Sequence, residues 1–398
     1  MPDTALVIVT LGALLLLGLV GDLLSRKLPL PRVTLLVLFG IACGPSGLAL
    51  LPVNAETMYP LISNIALLMV GFLLGGKLSK EMLRTCGRHV LAISALEVLG
   101  VSAFVLGGLL LLGVDPVVAM LLAGIAPASA PAAVQNVTEE LRAKGRFTDT
   151  LLGIVAIDDA WGLIVFSVLL AAAQVVAGNG GSVDALAHGA RDLGGALMLG
   201  ILVGVPAAYL TGRLRPGEPM QAEALGVVFF AGGLALWLEV SFLLTAMIVG
   251  AIIVNLASHH DRPFREIEGV EWPFMVLFFV LAGASLHVEQ LAEIGLAGGA
   301  FVVLRAAGLV VGAFLGGQIS GAPAQLRRWM GVAILPQAGV ALGMALVAGN
   351  AFPALRDTVL PLVIASTVVF ELAGPALTRL ALIRAGERHD RAARRQTP

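Results

Sequence analysis

The chain has 398 residues, 58% of them hydrophobic and 13% charged, with a mean hydropathy of +0.95. Apolar runs recur from residue 4 to about residue 383, which excludes a soluble domain carrying a single anchor. A formal net charge of -1 leaves no basic field for nucleic acid, and the two cysteines, Cys43 and Cys86, are too few for a disulfide framework or a metal cluster and read as packing residues.

A membrane-spanning helix needs about 20 mostly apolar residues. On that rule the sequence predicts an all-α polytopic membrane protein with thirteen transmembrane helices, at roughly 4–24, 32–48, 61–76, 89–112, 116–135, 148–176, 193–212, 222–239, 241–257, 272–287, 294–317, 328–349 and 358–383. The first has no Lys or Arg before it and no small-residue cleavage signal after it, so it reads as a span and not a signal peptide. Glu239 and Val240 alone separate the eighth and ninth, which could also be one very long helix.

Lys and Arg accumulate in cytoplasmic loops. With the N-terminus outside, 22 of the 25 basic residues fall inside, Arg191 and Arg356 fall outside, and Arg305 lies within a helix. The alternation predicts a multi-pass protein of the cell's inner (plasma) membrane with a cytoplasmic C-terminus, its Gly178–Ser182 stretch a flexible outer loop. No loop exceeds about twenty residues, which leaves no soluble domain for a nucleotide, and nothing in the sequence calls for a cofactor.

A charge at the bilayer centre costs about 2.5–3.5 kcal/mol even on the lenient insertion scale, so each one needs a reason. Five qualify: Glu97, Asp158, Asp159, Arg305 and Glu371. Structural ion pairs are one explanation, and Glu97 and Glu371 fit it as well as they fit a functional one. The adjacent aspartates outnumber any local base and point about 100° apart on a helix, so one can pair with Arg305 while the other lines a wet cavity.

Two predicted spans carry helix breakers. The fifth reads GIAPASAPAAVQNV, with Pro127 and Pro131, and the twelfth reads ILPQAGVALG, with Pro336 and Gly339. Proline frees a backbone carbonyl, which a membrane protein tolerates where the segment lines a cavity. Glu97 precedes Pro127 by 30 residues and Arg305 precedes Pro336 by 31, while Asp159 and Glu371 follow in the next helices. The second copy starts seven helices after the first, an odd number, and is therefore inverted. Inverted repeats with two broken helices crossing near the midplane are the pointer to a secondary-transporter site.

The run from Gly124 to Ser167, with APASAPAAV and VAIDDAWGLIVFS, resembles the monovalent cation:proton antiporter superfamily, as do FFVLAGASL, Arg305 and LPQAGVALG. The resemblance covers essentially the whole chain. It implies scaffold helices 1–3 (residues 1–76), core helices 4–6 (77–180), a linker helix 7 (181–215), scaffold helices 8–10 (216–290), core helices 11–13 (291–384) and a cytoplasmic tail (385–398). It further implies a homodimer that exchanges a monovalent cation, sodium first or else potassium or lithium, for protons across the lipid bilayer by alternating access. Carried over residue by residue, Asp159 is the cation- and proton-binding carboxylate, Asp158 its partner, Arg305 the basic residue before the second break, and Ser129 a polar position in the first. A lysine often stands where this chain has Arg305, and its replacement points to electroneutral exchange.

Two rival readings use the same residues. An intramembrane aspartyl protease needs two acids sharing a proton across about 3 Å, which adjacent helix positions do not provide. A channel or sensor of the same fold would lack uphill, proton-driven flux. His259 and His260 read as solvated loop residues, and the basic C-terminal end follows the positive-inside rule.

Overall fold

The computed structural model describes residues 4–25, 32–44, 47, 48, 50, 55–85, 87–178, 183–210, 220–257, 261–284, 295–337 and 339–387. Cys86, His259, His260, most of the Gly178–Ser182 loop and the tail beyond 387 lie outside the described residues. Every regular element among those described is helical.

In chain order the α-helices are α1 (Thr4–Ser25), α2 (Arg32–Cys43), α3 (Ala55–Gly76), α4 (Lys80–Thr85), α5 (Arg88–Leu111), α6 (Pro116–Ile125), α7 (Pro131–Leu141) and α8 (Arg146–Ala177). They continue with α9 (Val183–Leu210), α10 (Met220–Trp237), α11 (Phe242–Leu256), α12 (Asp261–Ala284), α13 (Gly295–Ile319), α14 (Ala324–Ala333), α15 (Gly339–Ala351) and α16 (Arg356–Arg384). Among the described residues, seven helices are long and apolar enough to cross a membrane, and five shorter apolar helices accompany them.

The punctuation follows local chemistry. Asp115 caps α6, its carboxylate accepting from the Val117 and Val118 amides at 2.9 and 3.2 Å, with Pro116 at a first-turn position where a missing N–H costs nothing. Glu239 adopts φ 57°, turning the chain between α10 and α11, and Ser241 then caps α11 by accepting from the Leu244 amide at 3.3 Å. The eighth and ninth apolar segments are thus two helices joined by a tight corner.

The fifth and twelfth segments each hold two helices. α6 ends at Ile125 and α7 begins at Pro131; α14 ends at Ala333 and α15 begins at Gly339. Pro131 therefore starts a helix and does not kink one.

Packing pairs the helices closely, and α9 packs on both α8 and α11. α5 lies along α13, α6 on α8, and α14 on α16; α3 packs on α11 and α12, and α2 on α12. The α5–α13 contact depends on glycine. A Cβ at Gly100 would lie 2.9 Å from Gly312 Cα, and one at Gly312 would lie 2.8 Å from Glu97 Cα, so no side chain fits between these backbones.

Candidate functional site

α8 carries Asp158 and Asp159 in its middle, both buried. Successive helix positions diverge, and the two carboxylates have different surroundings. Asp158 Oδ1 accepts from the Ser94 hydroxyl of α5 at 2.5 Å. Its Oδ2 and both carboxylate oxygens of Glu97, one turn along α5 from Ser94, are buried away from solvent, and the two carboxyl groups lie within hydrogen-bonding reach of each other. The three form a cluster between α5 and α8.

Asp159 faces the other way. The backbone N–H of Ser129, in the segment between α6 and α7, donates to its Oδ1 at 3.4 Å. On its other side the Lys77 ammonium lies 3.9 Å from Oδ2. A cavity of about 800 Å³ reaches Asp159 and is lined also by Lys77, Pro131, Glu268, Glu271 and Gly339. The Ser129 hydroxyl is buried beside this carboxylate without a hydrogen-bond partner.

Arg305, on α13, is fully buried. Its Nε donates to the Ala126 carbonyl at 2.9 Å, its Nη2 to Ala128 at 2.8 Å and its Nη1 to Leu335 at 2.9 Å. The Phe370 ring of α16 lies 4.3 Å from the guanidinium carbon. The expectation that one of the adjacent aspartates, Asp158 if Asp159 holds the cation, pairs with Arg305 is thereby corrected. A helix C-terminus exposes unsatisfied carbonyls and partial negative charge, and α6 and α14 both end here. One planar guanidinium with donors in several directions satisfies both ends at once, which a single aspartate cannot match. Asp159 instead lies near the start of α7, where the dipole favours an anion.

Glu371 is buried on α16, next to Phe370. Pro127 packs against Gly162 of α8 and Pro336 against Gly374 of α16. The structure thus brings Asp158, Glu97 and Ser94 together, places Asp159 and Pro131 at the cavity with the Ser129 backbone N–H behind the Asp159 carboxylate, and uses Arg305 to join the two interruptions. Lys77 and Ser94 were not anticipated as site residues. Ser94 lies three positions before Glu97, on the same face of α5, and Lys77 directly follows the glycine pair that ends α3. Gln337, in the second interruption, is also buried, and neither its amide nitrogen nor its oxygen has a partner.

No group of three or more His, Cys, Asp or Glu side chains among the described residues could hold a resident metal ion. A single carboxylate with a hydroxyl and backbone groups suits transient binding of one monovalent cation or one proton.

Comparison with known proteins agrees with this architecture. The chain is similar to the ammonium/H+ antiporter subunit AmhT of Alkalihalophilus pseudofirmus, with 22% identity over 70% of each protein. It is also similar to the probable Na+/H+ antiporter 3 of Methanocaldococcus jannaschii, with 24% identity over 67% of this chain and 68% of that one. The solved structure of the sodium proton antiporter MjNhaP1, also from M. jannaschii, superposes with a TM-score of 0.69 over 95% of this chain and 96% of that chain, at 21% identity. The model of the sodium/hydrogen exchanger transmembrane family matches residues 12–382, and the chain belongs to that family, a multi-pass cation:proton antiporter of the membrane.

Proposed function

We propose that the protein exchanges a monovalent cation, with sodium the first candidate, for a proton by alternating access, one for one and without net charge movement. The observation that carries this reading is the surrounding of Asp159: a buried carboxylate at a cavity, held by one backbone N–H, with an unpartnered Ser129 hydroxyl beside it. Deprotonated Asp159 binds a dehydrated cation with the Ser129 hydroxyl as a further ligand. Protonation removes the charge that holds the cation and expels it.

In this reading the thirteen apolar segments are thirteen spans, two of them broken near the midplane, with the N-terminus outside. α5–α8 and α13–α16 form the moving core, and α1–α3 and α10–α12 the scaffold of a homodimer, with α9 the link. The cavity at Asp159 then opens to the cytoplasm of a cell whose plasma membrane holds the protein. Electroneutrality follows from Arg305: a guanidinium keeps its proton, and its donors are engaged by carbonyls of both interruptions, so it contributes no second exchangeable proton.

The deciding experiment is proton flux in proteoliposomes of the purified chain, driven by sodium, lithium, potassium or ammonium, with the membrane voltage clamped at several values. Cation-dependent proton movement, uphill against one gradient and insensitive to voltage, is the expected result. Flux that only runs downhill contradicts exchange, and steep voltage dependence contradicts the one-for-one stoichiometry.

A further inference from the structure

Lys77 directly follows α3, on the wall of the cavity that reaches Asp159. Its ammonium nitrogen is 3.9 Å from Asp159 Oδ2, and the two side chains are 35% and 2% exposed. The pair joins elements that otherwise barely meet. α8 packs on α5, α6 and α9, whereas α3 packs on α11 and α12 and touches α8 only slightly. On the proposed division into core and scaffold, such an ion pair ties one to the other.

The chemistry of the pair makes the tie depend on what occupies the site. A cation binding Asp159 must take carboxylate oxygen that the ammonium now faces. A proton on Asp159 removes the charge that attracts the ammonium. Both loaded forms release Lys77, and only the empty, charged form retains it. The released ammonium has Glu268 and Glu271 on the same cavity wall.

We propose that Lys77 is a positioning residue for exchange. Its ammonium latches the empty, charged Asp159 to the scaffold, competes with the incoming cation, and holds the core in the conformation of this structure until a cation or proton loads the site. The latch rests on the reading of Asp159 as the exchange site and of core and scaffold as two bodies. It also supplies coupling, because the form that must not cross is the form that is tied down.

The test compares the purified full-length wild type with Lys77→Gln and Lys77→Arg. Sodium-dependent proton flux in liposomes gives KM. Parallel samples in a cysteine-free background carry spin labels at Lys144→Cys, on the exposed loop before α8, and at Gly269→Cys on α12, where a Cβ meets nothing within 4 Å. Loss of the competing ammonium in Lys77→Gln is expected to lower the sodium KM roughly two- to fivefold, the range set by a partly exposed ion pair. Lys77→Arg is expected to keep the wild-type KM. In sodium-free buffer at alkaline pH the distance distribution should be narrow in the wild type and Lys77→Arg and broadened in Lys77→Gln. Asp159→Asn, which removes the same tie from the other side, should broaden it too and serves if Lys77→Gln does not fold. A residue with a merely structural role would lower stability or maximal rate without lowering KM. An unchanged or raised KM, or an unbroadened distribution in these variants, overturns the latch. If the wild type shows no cation-coupled proton flux, the proposed exchange fails, while the spin-label comparison still decides the tether.

Discussion

Gly162 on α8 and Gly374 on α16 stand in equivalent places against the two helix interruptions. A Cβ at Gly162 would lie 3.3 Å from Pro127 Cβ, and one at Gly374 would lie 2.7 Å from Pro336 Cα. Gly162 is three positions after Asp159, and Gly374 three positions after Glu371. The same acid-to-glycine spacing thus serves the helix that follows each interruption, presenting a bare backbone where a proline must approach. The tighter contact, against backbone, predicts that Gly374→Ala destabilises the protein by about 1–3 kcal/mol. Gly162→Ala, which meets a ring carbon at a yielding distance, should cost less. Melting of the two purified variants in detergent checks the order, and an equal or reversed loss contradicts it.

The partners of Arg305 and Asp158 predict two unequal substitutions. Arg305→Gln, whose single shorter amide nitrogen cannot serve the carbonyls of Ala126, Ala128 and Leu335 together, leaves at least one of them without a donor, at about 1–3 kcal/mol for each one left unsatisfied. Asp158→Asn keeps an oxygen that still accepts from Ser94, and should change the melting temperature far less. Because the two side chains do not pair, the double variant should show the sum of the single losses, with no rescue. Recovery of stability in the double variant would restore the direct Asp158–Arg305 pair that the sequence suggests.

Glu387, just beyond α16, closes the start of α8 from 240 residues away. Its carboxylate accepts from the Phe147 and Thr148 amides at 2.7 and 2.8 Å and from the Thr148 hydroxyl at 2.8 Å. Gly145, at φ 145°, has no side chain to obstruct it. A carboxylate at a helix N-terminus satisfies orphan amides and meets a favourable dipole, so Glu387→Ala should cost about 1–2 kcal/mol. Glu387→Gln, which keeps one acceptor oxygen and loses the charge, should fall between. Thermal melting at low and high salt separates the charge component from the hydrogen bonds.

Ser129 offers the site two different groups. Its backbone N–H contacts Asp159, and its hydroxyl is unpartnered. Ser129→Ala retains the first and removes the second, so it should raise the cation KM about two- to tenfold, as expected for one lost polar contact, and leave the melting temperature nearly unchanged. An unaltered KM would remove the hydroxyl from the set of cation ligands.

The helices and both interruptions are legible in the sequence because apolar runs and prolines are local signals. Glu97, Asp159, Arg305 and Glu371 stand out for the same reason, each being a charge inside an apolar run. The partner of Arg305 is not legible, because its acceptors are backbone carbonyls, which every residue carries and which become available only where a helix ends. Lys77 is hidden differently. The charge rule absorbs it into a basic inner cluster with Lys80, Arg84 and Arg88, and only the packing of α3 beside the cavity turns its side chain toward Asp159. Glu387 is a long-range cap, and no local pattern links it to Thr148.

The most direct test of a carboxylate shared between cation and proton is the dependence of KM for sodium on pH in proteoliposomes of the wild type, with Asp159→Asn measured alongside. Competition for Asp159 predicts that KM rises as proton concentration rises while the maximal rate extrapolated to saturating sodium stays constant, and that Asp159→Asn, folded and reconstituted equally, exchanges nothing. A KM that does not move with pH, or sodium–proton exchange that survives in Asp159→Asn, would contradict it.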